Sequence, residues 1–171
     1  MTESKYIWMD GEFTPWNEAK VHVLSHTLHY GNGAIEGTKA YKTVDGRCAI
    51  FKLNEHTQRL LNSSKMTLMN VPFTLEELNK AQVELLQKNE LTNGAYIRPL
   101  VYLGYGVMGL YHKDAPVKVS ISAWEWGAYL GEEGLKKGVR VKISSFTRTP
   151  NTSGMGKAKS VANYMNSQMA K

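Results

Sequence analysis

Short apolar runs hinged on Asp-Gly turns constrain the fold of this chain more than any other feature. Tyr6-Ile-Trp-Met-Asp10-Gly11-Glu-Phe13 sets two runs around Asp10-Gly11, and Thr38 to Leu53 repeats the pattern around Val44-Asp45-Gly46. Asp-Gly readily adopts the positive-φ turn of a tight hairpin, so each segment predicts two antiparallel strands. Two longer strand patterns follow, Ala95 to Leu103 and Val117 to Trp124. Two helix patterns lie between the hairpins and these strands. Asn54 to Met69 opens on an N-capping residue and carries Leu60, Leu61 and Leu68 as its buried stripe. Thr74-Leu-Glu-Glu77 is a capping box that starts an amphipathic helix running to about Asn89. Antiparallel strands with segregated helices read as α+β.

At 171 residues the chain has room for one domain, or for a small domain and part of another. A globule of this size buries around two-thirds of its unfolded surface, so its core needs no disulfide. The one cysteine, Cys48, excludes an intrachain disulfide and fits a reducing compartment. No charged-then-apolar leader opens the sequence and no apolar run is long enough to span a bilayer, so the expected location is the cytoplasm. The net charge is +6, with bases interspersed among acids apart from Lys136-Lys137, Arg140 and Lys142. That scatter argues against a nucleic-acid module, and it suits a site for phosphate or carboxylate groups. The Gly-rich and charged stretch from Gly127 to Gly138 predicts a linker, giving a small domain at 1–126, the linker at 127–138 and a second domain beginning at 139–171. Val139 to Phe146 is predicted as that domain's first strand, and Ser160 as a helix start.

Three motif-like segments fail on their context. Gly31 to Gly37 lacks the Lys-Ser/Thr of a phosphate loop. Gly104-Tyr-Gly-Val-Met-Gly109 is formally G-x-G-x-x-G, but Leu110 to Pro116 follows where a dinucleotide site needs a helix N-terminus. His22, His26 and His29 could share a helix face, yet no carboxylate or cysteine stands near to complete a metal site, and a structural role is expected.

Chemistry concentrates in Arg148-Thr-Pro-Asn-Thr-Ser-Gly-Met-Gly-Lys-Ala-Lys-Ser-Val-Ala-Asn-Tyr164. Pro150, Asn151, Gly154 and Gly156 make a turn that leads to Lys157 and Lys159, with small residues on both sides that would let a bulky planar group come close. A lysine desolvated in a tight pocket loses its proton and becomes a nucleophile toward carbonyl compounds. Composition alone also permits a basic surface loop before a helix, and spacing alone does not choose between Lys157 and Lys159.

This segment resembles the Schiff-base lysine region of class IV pyridoxal-phosphate (PLP) aminotransferases, especially the branched-chain amino acid aminotransferases. The matching residues are Lys159, the Asn163-Tyr164 pair downstream, and Arg148, Pro150 and Asn151 upstream. The likeness runs from about Tyr6 to the last residue. It implies a D-amino acid aminotransferase-like, fold-type IV protein: a small antiparallel-sheet domain with two helices, then the first elements of the PLP-binding domain. By resemblance Lys159 is the catalytic residue, holding PLP and carrying the substrate's proton. Arg59, within Glu55-His-Thr-Gln-Arg59, grips the cofactor phosphate, and Tyr164 bonds its phenolic oxygen. Tyr30, Ile35, Gly37, Tyr96, Arg98, Trp126 and Tyr129 line the substrate pocket, with Arg98 as the candidate partner of a second carboxylate. The loop from Gly104 to Gly109 often walls the partner subunit's site.

The implied reaction is transamination between leucine, isoleucine or valine and 2-oxoglutarate, in a homodimer or homohexamer. The family's chains are considerably longer, and the acidic residue that pairs with the PLP ring nitrogen has no match here. The expectation is therefore an N-terminal portion with little activity alone. Another class IV PLP enzyme (a D-amino acid aminotransferase or aminodeoxychorismate lyase) and a non-catalytic dimerising domain stay open as alternatives.

Overall fold

Asp10 and Gly11 both take positive φ, 50° and 106°, and join strand β1 (Tyr6–Met9) to β2 (Glu12–Pro15). The computed structural model describes residues 2–127 and 131–171. The second hairpin forms as its turn chemistry predicts, with β4 (Thr38–Lys42) paired to β5 (Cys48–Ile50) and Gly46 at φ 83°. The two long strands, β6 (Ala95–Leu103) and β7 (Val117–Trp124), pair antiparallel from Tyr96↔Trp124 to Leu103↔Val117. Together they make the spine of a sheet ordered β2-β1-β7-β6-β4-β5, and a short β3 (Gly33–Ile35) also pairs with β6.

β3 and β4 occupy successive halves of one edge of β6, the first opposite residues 100–102 and the second opposite 95–97. The break between them, Glu36-Gly37, falls beside Arg98-Pro99. Pro99 has no N–H to give a ladder there, while its carbonyl accepts the Glu36 N–H at 2.9 Å. A proline in a central strand is thus tolerated because the neighbouring strand changes over at that point.

Alternation along β6 buries Ala95, Ile97 and Val101 on one face and leaves Tyr96, Arg98 and Leu100 half-buried on the other. Helices α2 (Leu53–Met66) and α3 (Leu75–Lys88) cover the apolar face, where Leu60, Leu78, Leu85, Ile97, Val119 and Ile121 are almost completely buried. Thr74 and Glu77 close the expected capping box on α3.

The start of α2 differs from expectation. The helix begins at Leu53 after Lys52 at φ 54°, with no side-chain cap, and the Asn54 amide instead accepts a hydrogen bond from Asn79 of α3 at 2.6 Å. The side chain that could cap its own helix is used to tie two helices together. Its far end differs too. Leu68 turns out to solvent in a left-handed conformation (φ 59°), and Met69 takes the buried place.

Helix α1 (His26–Tyr30) precedes β3. Beyond β7 the chain forms α4 (Gly131–Lys137), carrying a Glu133–Lys137 ion pair one turn apart, and α5 (Asn163–Met169), three residues later than the predicted helix start. Val139 to Phe146 does not form the predicted strand. Val141 and Ile143 are 90% and 95% exposed, because among the described residues no neighbouring strand lies beside the segment to complete a ladder.

Candidate active site

The segment that carries the lysines folds back onto the sheet. The Ile35 N–H donates to the Lys159 carbonyl at 3.0 Å and the Val161 N–H to the Gly33 carbonyl at 2.9 Å, so residues 159–161 run antiparallel to β3 around an Ala34↔Ser160 bridge. From the other side, the Lys159 N–H donates to the Ser63 hydroxyl of α2 at 3.0 Å. Ala158 and Ser160, on either side of Lys159, are buried. These contacts hold the Lys159 backbone from two directions, whereas Lys157 is exposed.

Lys159 Nζ donates to the Tyr164 hydroxyl at 2.9 Å. Asn163, the other member of the Asn-Tyr pair, donates from its amide to the Ala158 carbonyl at 3.2 Å and so holds the lysine loop to the start of α5. The turn before the lysines is sterically tight. A methyl group at Gly156 would collide with Asn151 Oδ1, and one at Gly154 would lie 2.9 Å from Thr149. This gives the small residues of the turn a packing reason beside the chemical one.

A cleft of about 720 Å³ opens over this segment, lined by Arg59, Arg148, Lys157, Lys159, Tyr164 and Lys171 among others. Five cations face it, and no aspartate or glutamate lines it among the described residues. Arg59 reaches it from α2, one helical turn before Ser63, so the same helix face that anchors the lysine backbone also presents a guanidinium.

Arg59 is itself held by Glu36, a carboxylate only 1% exposed on the β3–β4 changeover. Arg59 Nε donates to Glu36 Oε1 at 2.5 Å and Nη2 donates to Oε2 at 2.8 Å, while His56 Nδ1 lies 2.9 Å from Oε2 and the Gly37 N–H lies 3.2 Å from it. Burial pushes the Glu36 pKa up. The hydrogen bonds from Arg59 and His56 outweigh it, with the charge of Arg59 and the Gly37 amide, and hold the carboxyl below its ordinary value. Glu36 in turn raises the pKa of Arg59 and keeps it charged.

The candidate substrate residues gather in a second cluster. Arg98 Nη2 donates to the Tyr96 hydroxyl at 2.8 Å, and its buried Nε has no hydrogen-bond partner among the described residues. Trp126 meets the Tyr96 ring edge-on at 4.8 Å between centroids, and Trp124 lies 5.2 Å from it. Tyr96 folds over Gly37, where a methyl group would overlap the tyrosine hydroxyl, so residue 37 has to be glycine for this pocket to close. Ile35, Glu36 and Gly37 are consecutive, and they join the clusters: Ile35 bonds to Lys159, Glu36 holds Arg59, and Gly37 supports Tyr96.

Tyr30 stands apart from both groups. It packs on His26, and its hydroxyl accepts the Gly109 N–H at 3.1 Å while His26 Nε2 lies 2.8 Å from the Gly109 carbonyl, so α1 grips both faces of that peptide. His22 and His29 bond to nearby backbone as well, and no group of three metal-ligating side chains forms among the described residues. Tyr129 lies outside the described residues. Glu36, His56 and Ser63 went unnoticed in the sequence. The available signals were a charged residue set inside the apolar run Ala34 to Ala40, and a serine spaced four residues after Arg59.

The model of the family "Amino-transferase class IV" matches residues 33–171. The branched-chain-amino-acid aminotransferase of Pseudomonas aeruginosa is 47% identical over 164 residues, which is 96% of this chain and 53% of that protein. Among solved structures, the branched-chain amino acid aminotransferase of Escherichia coli superposes with a TM-score of 0.89 at 41% identity, over 97% of this chain and 54% of that one. A thermophilic archaeal counterpart, from Thermoproteus uzoniensis with norvaline, gives a TM-score of 0.91 at 38% identity, over 98% and 55%. The chain spans about half the length of the curated relatives it matches. A family model covering most of the residues, the cleft lysine among them, places this chain in the class IV amino-transferase family.

Proposed function

We propose that this chain supplies the cofactor-phosphate, lysine and side-chain-pocket elements of a PLP-dependent transaminase acting between leucine, isoleucine or valine and 2-oxoglutarate. The observation that carries the reading is the Lys159 amine, held 2.9 Å from the Tyr164 hydroxyl in a cleft that five cations line. The donor set suits PLP, which needs an amine for its aldehyde, a donor beside its phenolic oxygen and cations for its phosphate. Two further solved branched-chain aminotransferases, 45% and 41% identical to this chain, carry pyridoxamine 5'-phosphate and N-(5'-phosphopyridoxyl)-L-glutamate, which supports the same choice of cofactor.

When bound, PLP supplies the electron sink that weakens the bonds at the amino acid's α-carbon. The protein's work is to orient, to exclude water and to move a proton. Lys159 holds the cofactor and, once displaced by the substrate amine, carries the proton that leaves the α-carbon. Tyr164 bonds the phenolic oxygen and fixes the ring. Arg59 meets the phosphate with a planar donor edge. Tyr96, Trp126, Ile35 and Tyr30 receive an alkyl side chain over Gly37, and Arg98 pairs with the second carboxylate of glutamate; Tyr129 belongs to the same proposed pocket. The domain division at 1–126, 127–138 and 139–171, a homodimeric or homohexameric assembly and a cytoplasmic location belong to the same reading. Among the described residues no helix is long and apolar enough to cross a membrane.

Borohydride reduction of the purified chain with PLP, followed by peptide mass spectrometry, tests the lysine. The expected product is a pyridoxyl group on Lys159 that disappears in Lys159→Ala. Labelling of Lys157 instead, or equal labelling of several exposed lysines, would overturn the assignment.

A further inference from the structure

Arg59 uses one edge of its guanidinium on Glu36 and leaves the other open to the cleft. Nε and Nη2 are committed to the two carboxylate oxygens, so Nη1 and the remaining Nη2 proton are the donors left for an anion. Glu36 is in turn immobilised. His56 and the Gly37 N–H take up its Oε2, its own N–H is bound to Pro99, and 1% of the side chain is exposed. Arg59, at 51% exposure, is a long side chain that would otherwise sample many rotamers.

Two effects of opposite sign follow for an anion in the cleft. A fixed guanidinium gives up less side-chain entropy on binding and presents its donors in one direction. A carboxylate behind it partly cancels its charge and repels the same anion. The two-point, nearly parallel contact between Glu36 and Arg59 favours the first effect, because geometry of that kind sets direction as well as energy.

We propose that Glu36 is a positioning residue: it fixes the guanidinium of Arg59 so that the open edge meets the cofactor phosphate, and it couples that edge to Gly37 under the side-chain pocket. This rests on the reading of Arg59 as the phosphate ligand. Glu36 touches neither substrate nor reacting atoms in this role.

The ratio of pyridoxal to PLP dissociation constants isolates the contribution of the phosphate. It can be measured by absorbance titration of the 171-residue chain and its variants. Glu36→Gln is expected to lower that ratio about threefold or more, with Glu36→Asp, which keeps the charge and shortens the reach, lowering it as well. A variant weakened only by general loosening would bind both compounds less well and leave the ratio alone. An unchanged or raised ratio in Glu36→Gln would mean that the carboxylate merely opposes the anion, and the inference would fall. If the unaltered chain shows a ratio no higher than Arg59→Ala, the phosphate role of Arg59 fails, and the inference with it.

Should Glu36→Gln not fold, nitrogen-15 spectra of the unaltered chain decide. The Arg59 Nε–H signal should exchange slowly with water both before and after PLP is added. Loss of that signal on PLP binding would show that Glu36 has let go, and would overturn the proposal.

Discussion

Glu36 stays ionised in a nearly water-free position because four donors surround its two oxygens. Its folded-state pKa is depressed below the ordinary carboxylate value, so folding favours the charged form. The stability that this supplies is fully present above the unfolded carboxylate pKa of about 4.3, and is lost as pH falls through the lower folded value. Urea midpoints measured from pH 7 downward should therefore drop more steeply below about pH 5 for the unaltered chain than for Glu36→Gln. Parallel curves through the acid range would mean that Glu36 is not ionised in the folded state. At this scale Arg59, Lys159 and Tyr164 were legible from the motif that carries them. Their anchors were not: Glu36 lies 23 residues from Arg59 in sequence, and Ser63 lies 96 from Lys159.

The elements differ in how much of their sequence logic survives. α3 keeps its start because both members of the box, Thr74 and Glu77, are local to that helix and nothing else competes for them. Thr74→Ala should cost about 1 kcal/mol, read as a lower urea midpoint with an unchanged m-value. A midpoint that does not move would show the box to be idle. α2 loses its predicted cap since Asn79, 25 residues away, competes successfully for Asn54. Leu68 and Met69 exchange their expected places because the chain reverses at a left-handed residue just after the helix, and helical periodicity ends there. β6 keeps its alternation, which placed Tyr96 and Arg98 on one face before any partner strand was known.

Across the whole molecule, order is unevenly distributed. β6 and β7 pair over eight residues in the middle of the sheet, while residues 139–146 lie in no ladder or helix and Val139, Val141, Ile143 and Phe146 are exposed. Amide exchange should resolve the two regions. Val101, Val119 and Ile121 are expected to exchange at least about a thousandfold more slowly than 139–146, since opening the central pair requires global unfolding. Comparable protection in both would show that 139–146 is paired after all.

The sequence by itself determined the features whose physics is local: two Asp-Gly hairpins, the capped helix from Thr74, the two faces of β6, and the order of a lysine, an asparagine and a tyrosine. Turn dihedrals, caps and side-chain alternation depend on a few consecutive residues, so they can be read before the chain is folded. Only the tertiary structure decided which lysine faces Tyr164, which helix face reaches the cleft, and that a buried glutamate holds its arginine. Those outcomes depend on backbone donors and buried charges from distant segments finding partners. Residues 139–146 make the same point from the other side, since an alternating apolar pattern becomes a strand only where another strand offers its hydrogen bonds.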